Sequence, residues 1–433
     1  MNLPQNHPQR FDLNNEVHAR PPEALTGPLR VSYIALYGAR RDEDLEPVRQ
    51  LARQYGAPTP EPGTSHYTAH FGQFRLRWER HTEFARYMFI VPGVSGAMFD
   101  DPAISQVPRE WISTLPGQTI AAAHAVLVKA ADQATEYDEV AARHFGSNVM
   151  IGSAIAGGAG LALTDFRIHG DGFSRFYIED RGMTPWQGGR IVQRLLEIET
   201  YRMMALLALP VARDLAPFLR QSEKELAEIT SAISQAADAD EPLLLNRLTQ
   251  LEALIEGRYT ENHYRFSAAR AYYDLVQQRI EELREERIRG LQTLREFTER
   301  RLAPAMATCE SVAERQDTLS ERVARATQLL STRVDITRSR QNQDLLASMN
   351  RRAKMQLRLQ ETVEGLSVAA VSYYIVGLVG YLAKGLAATG LPINSEVAMG
   401  ASLPFVVVLV ALGIGRLRRG KTQRKGTPAK PEA

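Results

Sequence analysis

A single cysteine, Cys309, among 433 residues makes an intrachain disulfide impossible. A chain of this length buries a sizeable core without such a staple, and the usage suits a reducing compartment. Charge of one sign is missing too: 52 Lys+Arg against 50 Asp+Glu leave +2, which argues against a whole-chain nucleic-acid binder. The Met1 end has no charged stretch followed by an apolar one, so no cleavable signal is expected. Nucleophile motifs, paired zinc spacings and a dinucleotide fingerprint are lacking, so neither an enzyme nor a bound cofactor is expected. With 24% charged and 44% hydrophobic residues and a mean hydropathy of −0.27, a mostly disordered chain and a many-helix transporter are excluded.

The average hides an uneven distribution. Residues 416–433 hold Arg416, Arg418, Arg419, Lys421, Arg424, Lys425 and Lys430 against Glu432, a net +6 that leaves −4 for the rest. Gly365–Ala383 and Val397–Gly415 are uncharged runs of 19 residues each, long enough to cross a hydrocarbon core of about 30 Å as helices. The second, FVVVLVALGIG from Phe405, is apolar on every face, unlike an amphipathic core helix. The first is diluted by Ser372, Tyr373 and Tyr374. Arg351, Arg352, Lys354 and Arg358 precede the first run and the cluster from Arg416 follows the second, whereas the loop between offers Lys384 and Glu396. The positive-inside rule then puts both ends in the cytoplasm, joined by a short turn over Gly385–Glu396. These basic clusters fall at headgroup level, where anionic lipid is the expected partner and nucleic acid is not.

The remainder divides near residue 185. Upstream, short β-branched and aromatic runs such as RVSYIALYG from Arg30 and RYMFIVPG from Arg86 read as strands. DEDLEPVRQLARQYG, with Asp42 as cap and Gly56 as stop, reads as a helix. Two strands flank His169-Gly170-Asp171-Gly172 as a hairpin. An α+β or α/β cytoplasmic domain is expected over residues 1–184, its strand directions unreadable. Downstream, helices are expected over 187–209 and 211–237, with Pro210 between them and Pro217 in the opening turns of the second. A third starts near Glu241. Leu244, Leu248, Leu251 and Ile255 step 4, 3, 4, and Tyr273, Val276, Ile280 and Leu283 step 3, 4, 3, a heptad-like seam. Pro304 interrupts, and no Gly or Pro occurs from Ala305 to Glu364. The expected layout is therefore an antiparallel helical or coiled-coil stalk over 185–364, a transmembrane hairpin over 365–415 and a basic tail over 416–433.

Candidate chemistry is sparse. His66 and His70 have i, i+4 spacing, but the alternation TAHFGQFRLRW makes a strand, where they stand ~13 Å apart and cannot chelate together. Gly152–Gly158 approaches phosphate-loop spacing with Gly158 where the lysine belongs, and reads as a small-residue strand or turn. Asp165, His169 and Asp171 form an acid/base or metal set only if the fold assembles them; aspartates beside a turn are routine turn formers. In the first apolar run Ala369, Tyr373, Gly377, Gly380 and Lys384 step 4, 4, 3, 4 along one face. That stripe suits close helix packing, or in a ring of protomers a pore lining with Glu396 at the outer mouth and Lys384 opposing cations below it.

Two resemblances follow. NEVHARPPEAL from Asn15, HFGSNVMIGSAIAGGAGLALTDFRIHGDGFSRFYIED from His144 and ETYRMMALLALPVAR from Glu199 resemble the hallmark segments of a bacterial family of uncharacterised membrane-anchored proteins, across nearly the whole chain. In architecture, and in LREFTERRLAP from Leu294 and the segment from Ser331 to Val368, the chain is also similar to the CorA-type divalent-cation channels. That likeness implies a homopentamer with the first span around a pore and a divalent cation as the ion carried. It departs where those channels have Gly-Met-Asn, because this chain reads Gly380-Tyr381-Leu382-Ala383-Lys384-Gly385. The expectation is an inner-membrane protein that self-associates through its stalk, either as a CorA-like ion transporter or regulator or as an anchored scaffold without transport.

Overall fold

Alternation of apolar and polar residues puts Phe74, Leu76 and Trp78 on one side of a strand and Arg75, Arg77 and Glu79 on the other. In the computed structural model this is β3 (Phe74–Arg80), one of nine strands in a single sheet. The structure describes residues 4–422 apart from 12, 15–21, 41–42, 95–97, 132–135, 236–239 and 389–393, with backbone alone for 414–422. Most of NEVHARPPEAL, the Asp42 cap, the middle of the Gly385–Glu396 turn and the tail beyond Thr422 lie outside the described residues.

The other strands are β1 (Leu29–Tyr37), β2 (His66–Phe71), β4 (Phe84–Pro92), β5 (Gln118–Lys129), β6 (Ile151–Ile155), β7 (Gly160–Thr164), β8 (Ser174–Asp180) and β9 (Glu286–Arg287), in the order β2-β3-β4-β1-β5-β8-β7-β6-β9. Every pairing is antiparallel except β5 with β8. The Gly152–Gly158 stretch forms β6 and the turn into β7. His169–Gly172 sits in the loop joining the antiparallel β7 and β8, as the hairpin reading expected.

One sheet face is covered by α1 (Leu45–Gln54) and α2 (Arg109–Ser113); Leu76, Trp78, Tyr87 and Phe89 pack there with Val48, Leu51 and Trp111. Each such side chain contributes roughly 1.5–3 kcal/mol of burial. A further short helix, α3 (Tyr137–His144), packs with Phe99, Leu161, Leu163 and Tyr177. The opposite face meets α4 (Pro185–Leu206), whose start carries three concurring signals. Thr184 and Gln187 close a capping box, and Pro185 occupies the first turn, where no N–H is required. Gly188 and Gly189 then let α4 run against the segment at Glu23–Leu25: a Cβ on Gly188 would lie 2.7 Å from the Leu25 carbonyl oxygen, and one on Gly189 would overlap that of Glu23. The texture does change to helix at Pro185, but packing does not stop there. Contacts divide the chain into Met1–Gln328 and Leu329–Ala433.

Within the first unit, α5 (Ala208–Gln235) follows α4 after Leu207. The break thus falls before Pro210, which joins the opening turn of α5 instead of separating two helices; a proline lacks only an N–H that this turn leaves unbonded. Helix α6 (Glu241–Glu282) returns antiparallel, as descending pairs record: Arg247 with Glu225, Arg258 with Asp214 and Arg279 with Glu197. Leu244, Leu248, Leu251, Ile255, Val276, Ile280 and Leu283 are buried, so the heptad-like seam is a packing seam. After α7 (Leu294–Arg301), α8 runs unbroken from Ala303 to Ala388, with Pro304 in its first turn. Its opening part is tied to α5 by Arg315–Glu223 and to α6 by Arg270–Glu310 at 2.6 Å.

The second unit holds the rest of α8 and α9 (Ser395–Thr422). Both contain stretches long and apolar enough to cross a membrane, one toward Ala388 and one over Ser395–Gly413. They meet where Gly380 of α8 lies against Met399 of α9; Ser372, Val376 and Ala383 on α8 and Val410 on α9 are buried.

Candidate functional site

The stripe read from the first apolar run is divided by this contact. Gly380 is buried, and a Cβ there would lie 2.8 Å from Met399 Cγ, so its smallness serves the α8–α9 approach. Gly377 is half-buried, whereas Ala369, Tyr373 and Lys384 are exposed. Glu396 stands exposed in the first turn of α9, its N–H donating to Asn394 Oδ1 at 3.0 Å. A carboxylate there also complements the positive end of the helix. Arg351, Arg352, Lys354 and Arg358 are exposed on α8 without an ion pair among the described residues. Arg416, Arg418, Arg419 and Lys421 lie on the last turns of α9, their side chains outside the described residues.

His66 and His70 are on β2, opposite Glu79 and Arg75, and among the described residues no three His, Cys, Asp or Glu side chains are placed to hold a metal. The β7–β8 loop does assemble part of the acid/base set. Asp165 Oδ2 lies 3.0 Å from His169 Nε2 and accepts from Asn148 Nδ2 at 2.8 Å. Asp171 turns elsewhere, toward Arg175 at 3.3 Å and His124 Nε2 at 3.9 Å.

Spacing does not single out His124; a lone histidine in the apolar run AAAHAVLV is its only trace in sequence. It stacks on Phe173 at 4.0 Å, and its Nδ1 is 2.9 Å from Ser32 Oγ. Ser32, His124 and Asp171 have the residue types of a hydrolytic triad, but Ser32 is 0% exposed and its oxygen accepts the Ile104 N–H at 3.0 Å. A nucleophile needs access to substrate, so this serine is a structural hydroxyl hydrogen-bonded to the imidazole. Burial pushes the imidazole down to about 4, with Asp171 opposing. The unfolded chain therefore binds more protons between pH 6.5 and 4, and stability falls as pH drops through that window by about 3 kcal/mol. Thermal melts from pH 7 to pH 5 should show this slope in the wild type and a shallower one in His124→Gln. His144, also lowered by burial, leaves a residue of the effect. Equal slopes would remove the assignment.

The densest electrostatic feature is also one that spacing does not reveal. Arg77 and Glu79 on β3 and Arg86 on β4 occupy the sheet face that α4 covers. Arg77 Nε donates to Glu79 Oε1 at 2.5 Å and Arg86 Nε to Glu79 Oε2 at 2.8 Å. Arg86 Nη1 reaches Glu197 Oε1 on α4 at 3.0 Å, and Arg279 Nε on α6 reaches Glu197 Oε2 at 2.5 Å. Arg279 also pairs with Glu282 at 3.2 Å, which takes Arg194 Nε at 2.8 Å. Opposite charges thus alternate from sheet to α4 to α6. Burial alone would raise the Glu197 carboxyl, yet Arg86 and Arg279 hold it down at about 2. Burial would likewise lower Arg86, and Glu79 and Glu197 raise it instead. Tyr33 OH meets Thr200 Oγ1 at 2.7 Å, and burial pushes the Tyr201 hydroxyl up to about 12, with Glu197 adding to it. The network positions α4 and α6; its inner members Glu79, Arg86 and Glu197 are buried, and its outer members Arg194 and Glu282 line a cavity.

Two cavities among the described residues lie outside this network's buried centre. One, of about 560 Å³, lies between α6 and α8 among Tyr259, Phe266, Tyr273 and Asp274, with Cys309 in its wall, whose thiol burial pushes up and so leaves unreactive. The other, of about 330 Å³, opens where α4 begins and α6 ends.

No curated protein and no solved structure matches the chain, so no match supports the likeness to CorA-type channels. One family model does match, over residues 5–420. The chain belongs to the family described as protein of unknown function, DUF3422.

Proposed function

We propose that this is a membrane-anchored protein of the bacterial cytoplasmic membrane that associates with further copies of itself through α8. The observation that carries the reading is an exposed apolar face. Leu345, Met349, Met355, Leu359, Val363 and Leu366 are each more than half exposed, and at 100° per residue they fall within an arc of about 120°. Ala370, Tyr373 and Gly377 continue the same arc into the apolar run. Arg351, Lys354, Arg358, Glu361 and Glu364 point elsewhere, and Arg352 is the one charge on the face. An apolar stripe on a charged helix is stable in water when another helix covers it, and a second copy offers the matching stripe at the same height in the bilayer. Arg351, Arg352, Lys354 and Arg358, with the cluster from Arg416, then meet anionic headgroups on the cytoplasmic side, where both termini lie.

Anchoring and self-association account for these features without conduction. The Gly-Met-Asn motif is absent, and Lys384 would oppose a cation in any ring built on the Gly377 face. Single cysteines at Leu359 and Val363, in a Cys309→Ser background, should form disulfide-linked multimers in membranes that resist alkaline extraction. Cysteines at Arg358 and Glu361 should not. Cross-linking at all four positions alike, or at none, would overturn the stripe as the contact. Cation flux into liposomes holding the purified chain would overturn the anchor reading.

A further inference from the structure

Four of the seven residues that wall the cavity at the start of α4 carry hydrogen-bond donors in their side chains. Arg190 and Arg194 on α4 and Arg284, one residue beyond the α6 C-cap, line it beside Ala156 and Ile191. Gln187 contributes an amide whose oxygen is already taken by the Thr184 N–H at 2.9 Å, leaving its NH₂ to face a ligand. The single acidic wall residue, Glu282, is spent. It accepts from Arg194 at 2.8 Å and from Arg279 at 3.2 and 3.3 Å, and Gln278 Nε2 approaches at 3.3 Å. The chain of pairs behind it holds Arg77, Arg86, Arg194 and Arg279 against Glu79, Glu197 and Glu282, already one positive charge in excess. Arg190 and Arg284 have no ion pair among the described residues, and nothing within this network can neutralise them.

Arg190 is half-buried and Arg284 is exposed, and an anion between the two guanidiniums would relieve their repulsion. Their planar forks match a tetrahedral oxyanion, and two positive charges match a dianion better than a monocarboxylate. The positive end of α4 and the negative end of α6 both lie here and offset one another, so the arginines supply the field. A volume of about 330 Å³ exceeds what a bare phosphate fills and sits at the lower end of small-molecule sites, roughly 300–1,000 Å³. We propose that this cavity binds a small phosphomonoester, its phosphate held by Arg190 and Arg284 with the Gln187 amide and Arg194 beside them.

Arg284 supplies a discriminating test, because its backbone is left-handed at φ 50°, where glycine is the unstrained residue. Calorimetric titration of the full chain in nanodiscs of zwitterionic lipid, at matched ionic strength in chloride, would use ribose 5-phosphate and inorganic phosphate as probes. The ester should bind at least 10-fold more tightly than inorganic phosphate. Arg190→Gln with Arg284→Gln should weaken ester binding at least 10-fold, and Arg53→Gln, at an exposed arginine of α1, should leave it unchanged. Arg284→Gly should weaken binding while the melting temperature holds or rises, a combination that a purely structural arginine would not give. Absence of ester binding by the wild type, equal affinity for both probes, or wild-type affinity in either Arg284 variant would overturn the assignment.

Discussion

Replacing Arg86 by methionine should cost the fold about 3–5 kcal/mol, because it leaves two buried carboxylates without their shared cation. Glu79 is 1% exposed and Glu197 4%, so water cannot replace the guanidinium that now lies between them. The pH dependence should change as well. With a folded value of about 2 against an ordinary 4.5, Glu197 contributes about 3 kcal/mol that is fully present above pH 4.5 and is lost as pH falls through 2. Without Arg86 the folded value rises and that contribution shrinks. The charge-matched double variant, Arg86→Met with Glu197→Gln, should recover part of the loss, since removing both members of a pair is milder than stranding one. Thermal unfolding of the four proteins at pH 7 forms the cycle. Additive effects would show that the two residues do not interact and that α4 is held by apolar packing alone.

Adding one methyl group at Gly189 should be nearly as damaging. The new Cβ would overlap the Glu23 carbonyl oxygen, which no rotamer change relieves because the obstacle is backbone. The segment must lift from α4, losing the Leu25 N–H to Pro185 carbonyl bond of 2.9 Å and straining the Glu23–Arg75 pair of 3.0 Å. We expect a loss of about 3 kcal/mol, the upper part of the overpacking range. A Cβ on Gly257, midway along α6, would meet nothing within 4 Å, so Gly257→Ala should stabilise by about 1 kcal/mol through helix propensity alone. Melting temperatures that move in opposite directions in the two variants would confirm the difference. A shift of the same sign in both would refute close approach as the reason for Gly189.

Local signals carried much of the architecture. Apolar runs bounded by Gly and Pro located β1, β4 and the β7–β8 hairpin, and the heptad-like spacing from Leu244 and again toward Leu283 marked a face that proved buried. The stretch from Ala305 to Glu364, without Gly or Pro, marked an unbroken helix, and uncharged runs marked the two apolar segments. Boundaries at prolines were less legible: Pro210 and Pro304 looked like stops but lie in opening turns, since both roles exploit the same missing N–H. The cavity arginines carried no spacing signal. Arg190 and Arg194 look like surface residues of an amphipathic helix, and Arg284 meets them only because α6 returns antiparallel beside α4.

What the sequence determined by itself is therefore what depends on neighbours within a few residues: strand alternation, helix periodicity, and two stretches apolar enough to cross a bilayer. What only the tertiary structure decided is the fate of polar faces. Arg77, Glu79 and Arg86 alternate with apolar residues as they would on a strand facing water, yet α4 covers them; Glu197, the partner of Arg86, lies 111 residues away, and Arg279 pairs with Glu197 from 82 residues further on. Alternation records that two faces differ. Whether the polar one meets solvent or an opposing charge depends on long-range packing, and Coulomb energy in a buried site depends on the distance that packing sets.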